Sequence, residues 1–175
     1  MLPNRYTWEI IPPSKKLRME IPKLDRFDRR ILTQLQTDAD ITAADLAEQI
    51  GLSTNACWRR IKRLTELGVI RRQVALLDER ALGLKVTVFV SVKTNQHTDD
   101  WLTRFAEGVK AIPEVVEFYR MSGDIDYLLK IVVQDIDDYD RVYKKLISVA
   151  PMHDVSSSFA MERIKSSTAL PLGHI

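Results

Sequence analysis

The sequence predicts an α+β protein in two parts: a helix-turn-helix (winged-helix-like) unit followed by a ferredoxin-like βαββαβ unit. Three observations predict this. Residues 24–68 carry apolar residues at helical spacing, punctuated by Gly51 and Gly68. Residues 53–72 hold six cations, Arg59, Arg60, Lys62, Arg63, Arg71 and Arg72, against Glu66 alone. Residues 84–165 then alternate strand and helix patterns in the order β-α-β-β-α-β.

Bulk properties narrow the function classes. With 175 residues the chain has room for two small domains, and its 45% apolar content is that of a globular protein. It has no apolar run long enough to span a bilayer, and its first residues lack a signal-peptide core. The lone cysteine, Cys57, falls in a helical run and cannot form an internal disulfide, which points to the cytoplasm. Net charge is +2, but residues 1–80 hold 15 Lys/Arg and 11 Asp/Glu, so the positive balance lies in the first half. Such a local excess fits a phosphate footprint, and by itself fits a solvated helix face equally well. The boundaries read as an N-terminal extension at 1–22, a helix-turn-helix at 23–70 and a hinge strand at 71–83. A regulatory unit at 84–168 and a tail at 169–175 follow. The extension, with Pro3, Pro12, Pro13 and Pro22, reads as an extended arm or disordered tail.

The first helix spans about Asp25–Gln36, with Phe27, Ile31, Leu32 and Leu35 at helical spacing. Thr42 caps the second, with Asp45 three residues on, and Gly51 supplies the left-handed exit. Ser53 caps the third. Its Cys57, Ile61 and Leu64 form the buried stripe, so Thr54, Asn55, Trp58, Arg59 and Lys62 fall on or near the outer face. In a helix-turn-helix the first turn of the second helix of the motif meets base edges. Ser53, Thr54, Asn55 and Arg59 are therefore the candidates for base contact, since Arg matches guanine and Asn adenine. Arg60, Lys62, Arg63 and Arg71 are candidates for phosphate, with Thr42 at the start of the preceding helix. Arg60 equally fits an internal ion pair, and Trp58 fits packing against the linker better than DNA. Cys57 reads as a small buried residue. Beyond Gly68, VIRRQVALLD is weakly strand-like, suiting a wing or a connecting strand.

In the second part, VTVFVSVK (86–93) is a β-branched strand. A helix starting at Thr98 or Asp99 presents Leu102, Phe105, Ala106, Val109 and Ile112, and Pro113 stops it. Strands at about Val115–Met121 and Tyr127–Val133 flank the turn SGDID. A helix capped by Asp135 or Asp137 presents Tyr139, Val142, Tyr143, Leu146 and Ile147, and a last strand covers about Val155–Lys165. Right-handed crossovers put both helices on one sheet face. The other face is left open, yet Phe89, Leu128 and Val132 make it apolar, which predicts a sheet-to-sheet homodimer.

The hairpin Ser122–Tyr127 is composed of ordinary turn residues. A sharper reading gives Gly123 to close ligand approach and Asp124 or Asp126 to an ammonium group. Enzyme chemistry has little to stand on. His97, His153 and His174 are scattered, and neither metal-ligand spacing nor a phosphate loop is present, so no cofactor and no metal are expected. An RNA-stacking sheet is disfavoured because adjacent Phe118 and Tyr119 point to opposite faces.

Taken in order, LDRFDRRIL (24–32), DLAEQIGLS (45–53), CWRRIKRL (57–64), GVI (68–70), ALLD (75–78), LG (82–83), PEV (113–115), SGDIDYLLK (122–130), Tyr139 and SSFAMERIK (157–165) resemble the Lrp/AsnC family of feast/famine regulators. The resemblance implies a helix-turn-helix joined by a hinge strand to a ferredoxin-like domain, binding double-stranded DNA. It implies homodimers that often assemble into octamers, with an amino-acid effector between dimers. By resemblance the effector candidates are Met121, Ser122, Gly123, Asp124, Asp126 and Tyr127, together with Ser158, Phe159 and Ala160. The pattern is similar to a subgroup answering to cysteine or branched-chain amino acids. The alternative is a ligand-independent architectural protein that wraps DNA.

Overall fold

A computed structural model describes residues 22–175, so the expected N-terminal arm lies, up to residue 21, outside the described residues. The described chain divides into two units, one of residues 22–76 with 164–175 and one of residues 77–163.

The first unit holds three helices, α1 (Arg26–Thr37), α2 (Ala43–Ile50) and α3 (Thr54–Glu66). Each start is fixed by a side chain that satisfies free backbone N–H groups. Asp25 accepts from the N–H groups of Phe27 and Asp28, and Asp28 answers by accepting from the Asp25 N–H at 3.2 Å. Thr42 accepts from the Asp45 N–H at 3.1 Å, and Ser53 from the Ala56 N–H at 3.3 Å. Gly51 ends α2 at φ 74°, the left-handed conformation a side chain resists, and this sharp exit aims α3 across α2. Ile31, Leu46, Ile50, Cys57 and Leu64, all at most 2% exposed, form the core.

The C-terminal segment belongs to this unit. Leu172 and Ile175 pack against its core. Gln36 of α1 clasps the Leu170 backbone, its Nε2 donating to the carbonyl at 3.3 Å and its Oε1 accepting from the N–H at 2.6 Å. Arg29, two turns earlier on α1, donates to the Ile175 carbonyl at 3.1 Å. The segment thus runs antiparallel to α1. The sequence places a tail at 169–175 after the regulatory unit, whereas the structure groups residues 164–175 with the helix-turn-helix. Two aliphatic residues on an extended segment carry no periodicity that would reveal this docking.

The second unit is a four-stranded antiparallel sheet with the order β2-β3-β1-β4. Its strands are β1 (Val86–Lys93), β2 (Val115–Arg120), β3 (Tyr127–Val133) and β4 (Asp154–Phe159). Helices α4 (Asp99–Lys110) and α5 (Ile136–Val149) pack with the inward strand residues. Val88, Val90, Val92, Leu129, Ile131 and Val133 are fully buried there, with Trp101, Phe105, Phe118 and Tyr127 as an aromatic cluster. Phe118 therefore points into the core, and Tyr119, half exposed, points the other way. Gly108 lets α4 and α5 approach, since a Cβ there would meet Val149.

Three features differ from the sequence expectation. Residues 71–78 form neither helix nor strand among the described residues, and their side chains are exposed, Leu76 and Leu77 at 71%. β4 ends at Phe159, because β1 begins at Val86 and offers no pairing past the bond from the Ala160 N–H to the Thr87 carbonyl. The open sheet face is also more polar than the strand pattern implies. Phe89, Leu128, Val132 and Tyr119 share it with Ser91, Ser156, Ser158 and a Lys130–Glu117 ion pair at 3.1 Å.

Candidate functional site

In the first unit, α3 buries Cys57 and Leu64 and so turns Thr54, Asn55, Trp58, Arg59 and Lys62 to solvent, with Ser53 exposed at its cap. Trp58 is 55% exposed, because it sits a helical step off the buried stripe, and Lys62 Nζ lies 5.5 Å from its ring. Lys62 also reaches Glu66 at 3.9 Å, an exposed pair that holds it weakly. Thr42 is engaged in capping, its hydroxyl donating to Asp45 Oδ2 at 2.7 Å. Arg71 is exposed beyond α3.

Arg60 and Arg63 have a different setting from their neighbours. Asp28 is 1% exposed, and a carboxylate so buried needs charged or hydrogen-bonding partners. Arg60 Nη1 donates to Asp28 Oδ1 at 2.8 Å and lies 2.8 Å from Asp25 Oδ2. Arg63 Nη1 donates to Asp28 Oδ2 at 3.1 Å and its Nη2 to the Lys23 carbonyl at 3.0 Å. The internal ion pair considered for Arg60 is present, and Arg63, expected on phosphate, shares it. Hydrogen bonds from the Asp28 N–H and from Arg60 hold the Asp25 carboxyl below its ordinary pKa. Burial works against the Arg60 charge, but bonds to Asp28 and Asp25 more than offset it and raise its pKa. Sequence reasoning missed Asp28. The signal was available, for Asp28 stands three and four residues before Ile31 and Leu32 and so lies on the inner stripe.

In the second unit, the hairpin candidates split in character. Met121, Ser122, Gly123 and Asp124 are exposed, and Gly123 at φ 131° has open space where a side chain would stand. Asp126 is committed to structure: its Oδ2 accepts from the Thr94 N–H at 2.8 Å, and its own N–H donates to the Val92 carbonyl at 3.0 Å. The Tyr127 ring is 4% exposed in the aromatic cluster. Ser158 faces the open side of the sheet, while the Phe159 ring meets Tyr139 edge-on at 5.2 Å on the helix side. Tyr139 also bonds Ser157.

The structure does not bring the two effector groups together within one chain. The hairpin bonds β1 at Val92, and Ala160 bonds it at Thr87. Five residues of strand between them amount to roughly 17 Å at about 3.3 Å per residue. Among the described residues, no group of three His, Cys, Asp or Glu could hold a metal, and no helix is long and apolar enough to cross a membrane.

Comparison with known proteins fits both units. Residues 24–71 match the model of winged helix-turn-helix DNA-binding domains, and residues 87–170 that of the Lrp/AsnC ligand binding domain. The glutamate uptake regulatory protein of Zymomonas mobilis is 55% identical over 152 residues, 87% of this chain and 93% of that protein. An AsnC family transcriptional regulator from Agrobacterium tumefaciens superposes with a TM-score of 0.84 at 57% identity, covering 87% of this chain and 99% of that one. Transcriptional regulator NMB0573 of Neisseria meningitidis, solved as an L-Met complex, gives 0.82 at 34% identity, with the same 87% and 99% coverage. With a helix-turn-helix whose outer face is polar and cationic, and a βαββαβ unit matched to a ligand-binding domain, the chain belongs to the Lrp/AsnC family of DNA-binding transcriptional regulators.

Proposed function

We propose that the chain is a cytoplasmic regulator whose grip on its operator is set by a free amino acid. The supporting observation is the exposed first turn and cationic face of α3, Ser53, Thr54, Asn55, Arg59 and Lys62, on a unit that shares a chain with a ligand-binding domain. Thr54, Asn55 and Arg59 read base edges, and Lys62 and Arg71 engage phosphates, with Trp58 exposed beside them. The amino acid sits beside Gly123. Its ammonium meets Asp124, the exposed carboxylate of the hairpin, while Asp126 holds the hairpin's shape through Thr94.

The working form is a homodimer, assembling further to an octamer. Two features support it: the open sheet face with Phe89, and the exposed aliphatic run Val74, Leu76 and Leu77. The roughly 17 Å between the hairpin and Ser158–Ala160 supports a site completed by a second copy, where groups from two chains converge. Effector binding then shifts the spacing of paired α3 helices.

The regulator crystallised with L-Met and the regulator of glutamate uptake widen the ligand set to be tried beyond cysteine and the branched-chain amino acids. Thermal shift against the twenty amino acids is the test. One or a few should raise the melting temperature, and Asp124→Ala should abolish the rise while leaving the unliganded melting unchanged. A chain stabilised by none of them is the ligand-independent DNA-wrapping protein instead.

A further inference from the structure

We propose that Asp28 is a positioning residue that decides which cations of α3 reach DNA, holding Arg60 and Arg63 to α1 and leaving the charge this helix offers DNA to Lys62 and to Arg59, which turns to phosphate on a duplex that lacks its cognate base. The inference rests on α3 lying against DNA.

The geometry supports it in three steps. Both oxygens of Asp28 are occupied, Oδ1 by Arg60 and Oδ2 by Arg63 and the Asp25 N–H. The carboxylate is buried, so an arginine that swung out to a phosphate would leave an under-paired charge in the core of the unit, a loss that a solvated phosphate contact does not repay. The cations also sort by face. Arg60 and Arg63 are one turn apart on the side that meets α1, with side-chain exposures of 28% and 46%. Arg59 and Lys62 are one turn apart on the neighbouring, solvent side, where Lys62 is 58% exposed. Asp25 and Asp28 balance Arg60 and Arg63, so the cationic run read from the sequence overstates the charge α3 offers to DNA by two. The same clamp fixes the roll of α3, because two side chains one turn apart are tied to one carboxylate.

The salt dependence of affinity tests this without knowledge of the operator, since each phosphate contact contributes about 0.9 to the slope of log K against log salt. Fluorescence anisotropy on a duplex of arbitrary sequence is measured for wild type, Arg59→Gln, Lys62→Gln, Arg60→Gln, Arg63→Gln and Asp28→Asn. Arg59→Gln and Lys62→Gln are expected to flatten the slope by about 0.9 each, and Arg60→Gln and Arg63→Gln to leave it at the wild-type value. Asp28→Asn should steepen the slope by about 0.9 or more, as a guanidinium freed of its carboxylate turns to phosphate. A structural brace that played no part in sorting cations would not steepen it. Should Arg60→Gln or Asp28→Asn fail to fold, Arg63→Gln decides alone, being the half-exposed member. Flattening by Arg63→Gln equal to that by Arg59→Gln overturns the proposal. Slopes that no substitution moves overturn instead the reading that α3 faces DNA.

Discussion

Removing residues 169–175 should loosen the helix-turn-helix without touching the regulatory unit. The loss can be worked from the contacts. Leu172 and Ile175 are each partly buried on the core containing Cys57. Together they amount to one fully buried aliphatic side chain, about 2 kcal/mol. The Gln36–Leu170 pair and the bond from Arg29 to the Ile175 carbonyl are exposed and add about 1 kcal/mol in total. A loss of about 3 kcal/mol raises the equilibrium for opening this unit by about a hundredfold. The native cysteine reports on that opening. Cys57 is 0% exposed, and burial pushes its thiol pKa up, so iodoacetamide reaches a reactive thiol only when the unit opens. Alkylation in the truncated chain should therefore be about a hundredfold faster, and Leu172→Asp, which removes about 1 kcal/mol of that burial, should give about fivefold or more of the gain. A truncated chain alkylated at the wild-type rate would refute the docking of this segment as a stabilising contact.

Other perturbations have equally definite outcomes. In Gly108→Ala the new Cβ would lie 3.0 Å from the Val149 Cβ and closer still to its methyls. Overpacking there should cost about 1–3 kcal/mol in thermal unfolding despite alanine's better helix propensity, and Val149→Ala on top should restore most of it. Asp126→Ala leaves the Thr94 N–H without its partner and should cost about 1–2 kcal/mol, read from urea unfolding of the regulatory unit. Acid should destabilise that unit as well. Burial raises the Glu114 pKa, but the Arg141 hydrogen bond, a backbone N–H and the charges of Lys145 and Arg141 together more than offset it, and the Tyr119 hydroxyl, then Lys130, lower that of Glu117. Carboxylates held below their ordinary values contribute stability above about pH 4.3 and lose it as the pH falls through their folded values. Melting temperature should therefore drop below about pH 4, and the drop should shrink in Glu117→Gln.

Most of the fold was legible because its signals are local. The caps read at Thr42 and Ser53 are those of the structure, which takes Thr98 over Asp99 and Asp135 over Asp137, and each bonds an N–H group three residues on. Asp25, read as the start of the first helix, is its cap. The alternation of Val88, Val90 and Val92 with Phe89 and Ser91 put the sheet's inner face in view. What escaped depends on pairing between distant residues. The spacing of Asp28 from Ile31 and Leu32 marks it as inward, but only the approach of α3 shows which cations it anchors, Arg60 and Arg63. Trp58 is large and apolar enough to suggest burial, yet its angle on α3 keeps it outside. The commitment of Asp126 to Thr94, 32 residues earlier, separates two hairpin aspartates that look alike in sequence. The hinge strand and the end of β4 failed for one reason: a strand needs a partner, and a propensity for extended backbone does not supply it.

Control of DNA binding by an amino acid is tested most directly by anisotropy on the chain's own promoter fragment, titrated with each of the twenty amino acids at fixed salt. At least one should change the Kd by about fivefold or more, and that change should vanish in Asp124→Ala while effector-free affinity stays at the wild-type value. Affinity unmoved by all twenty would contradict the account.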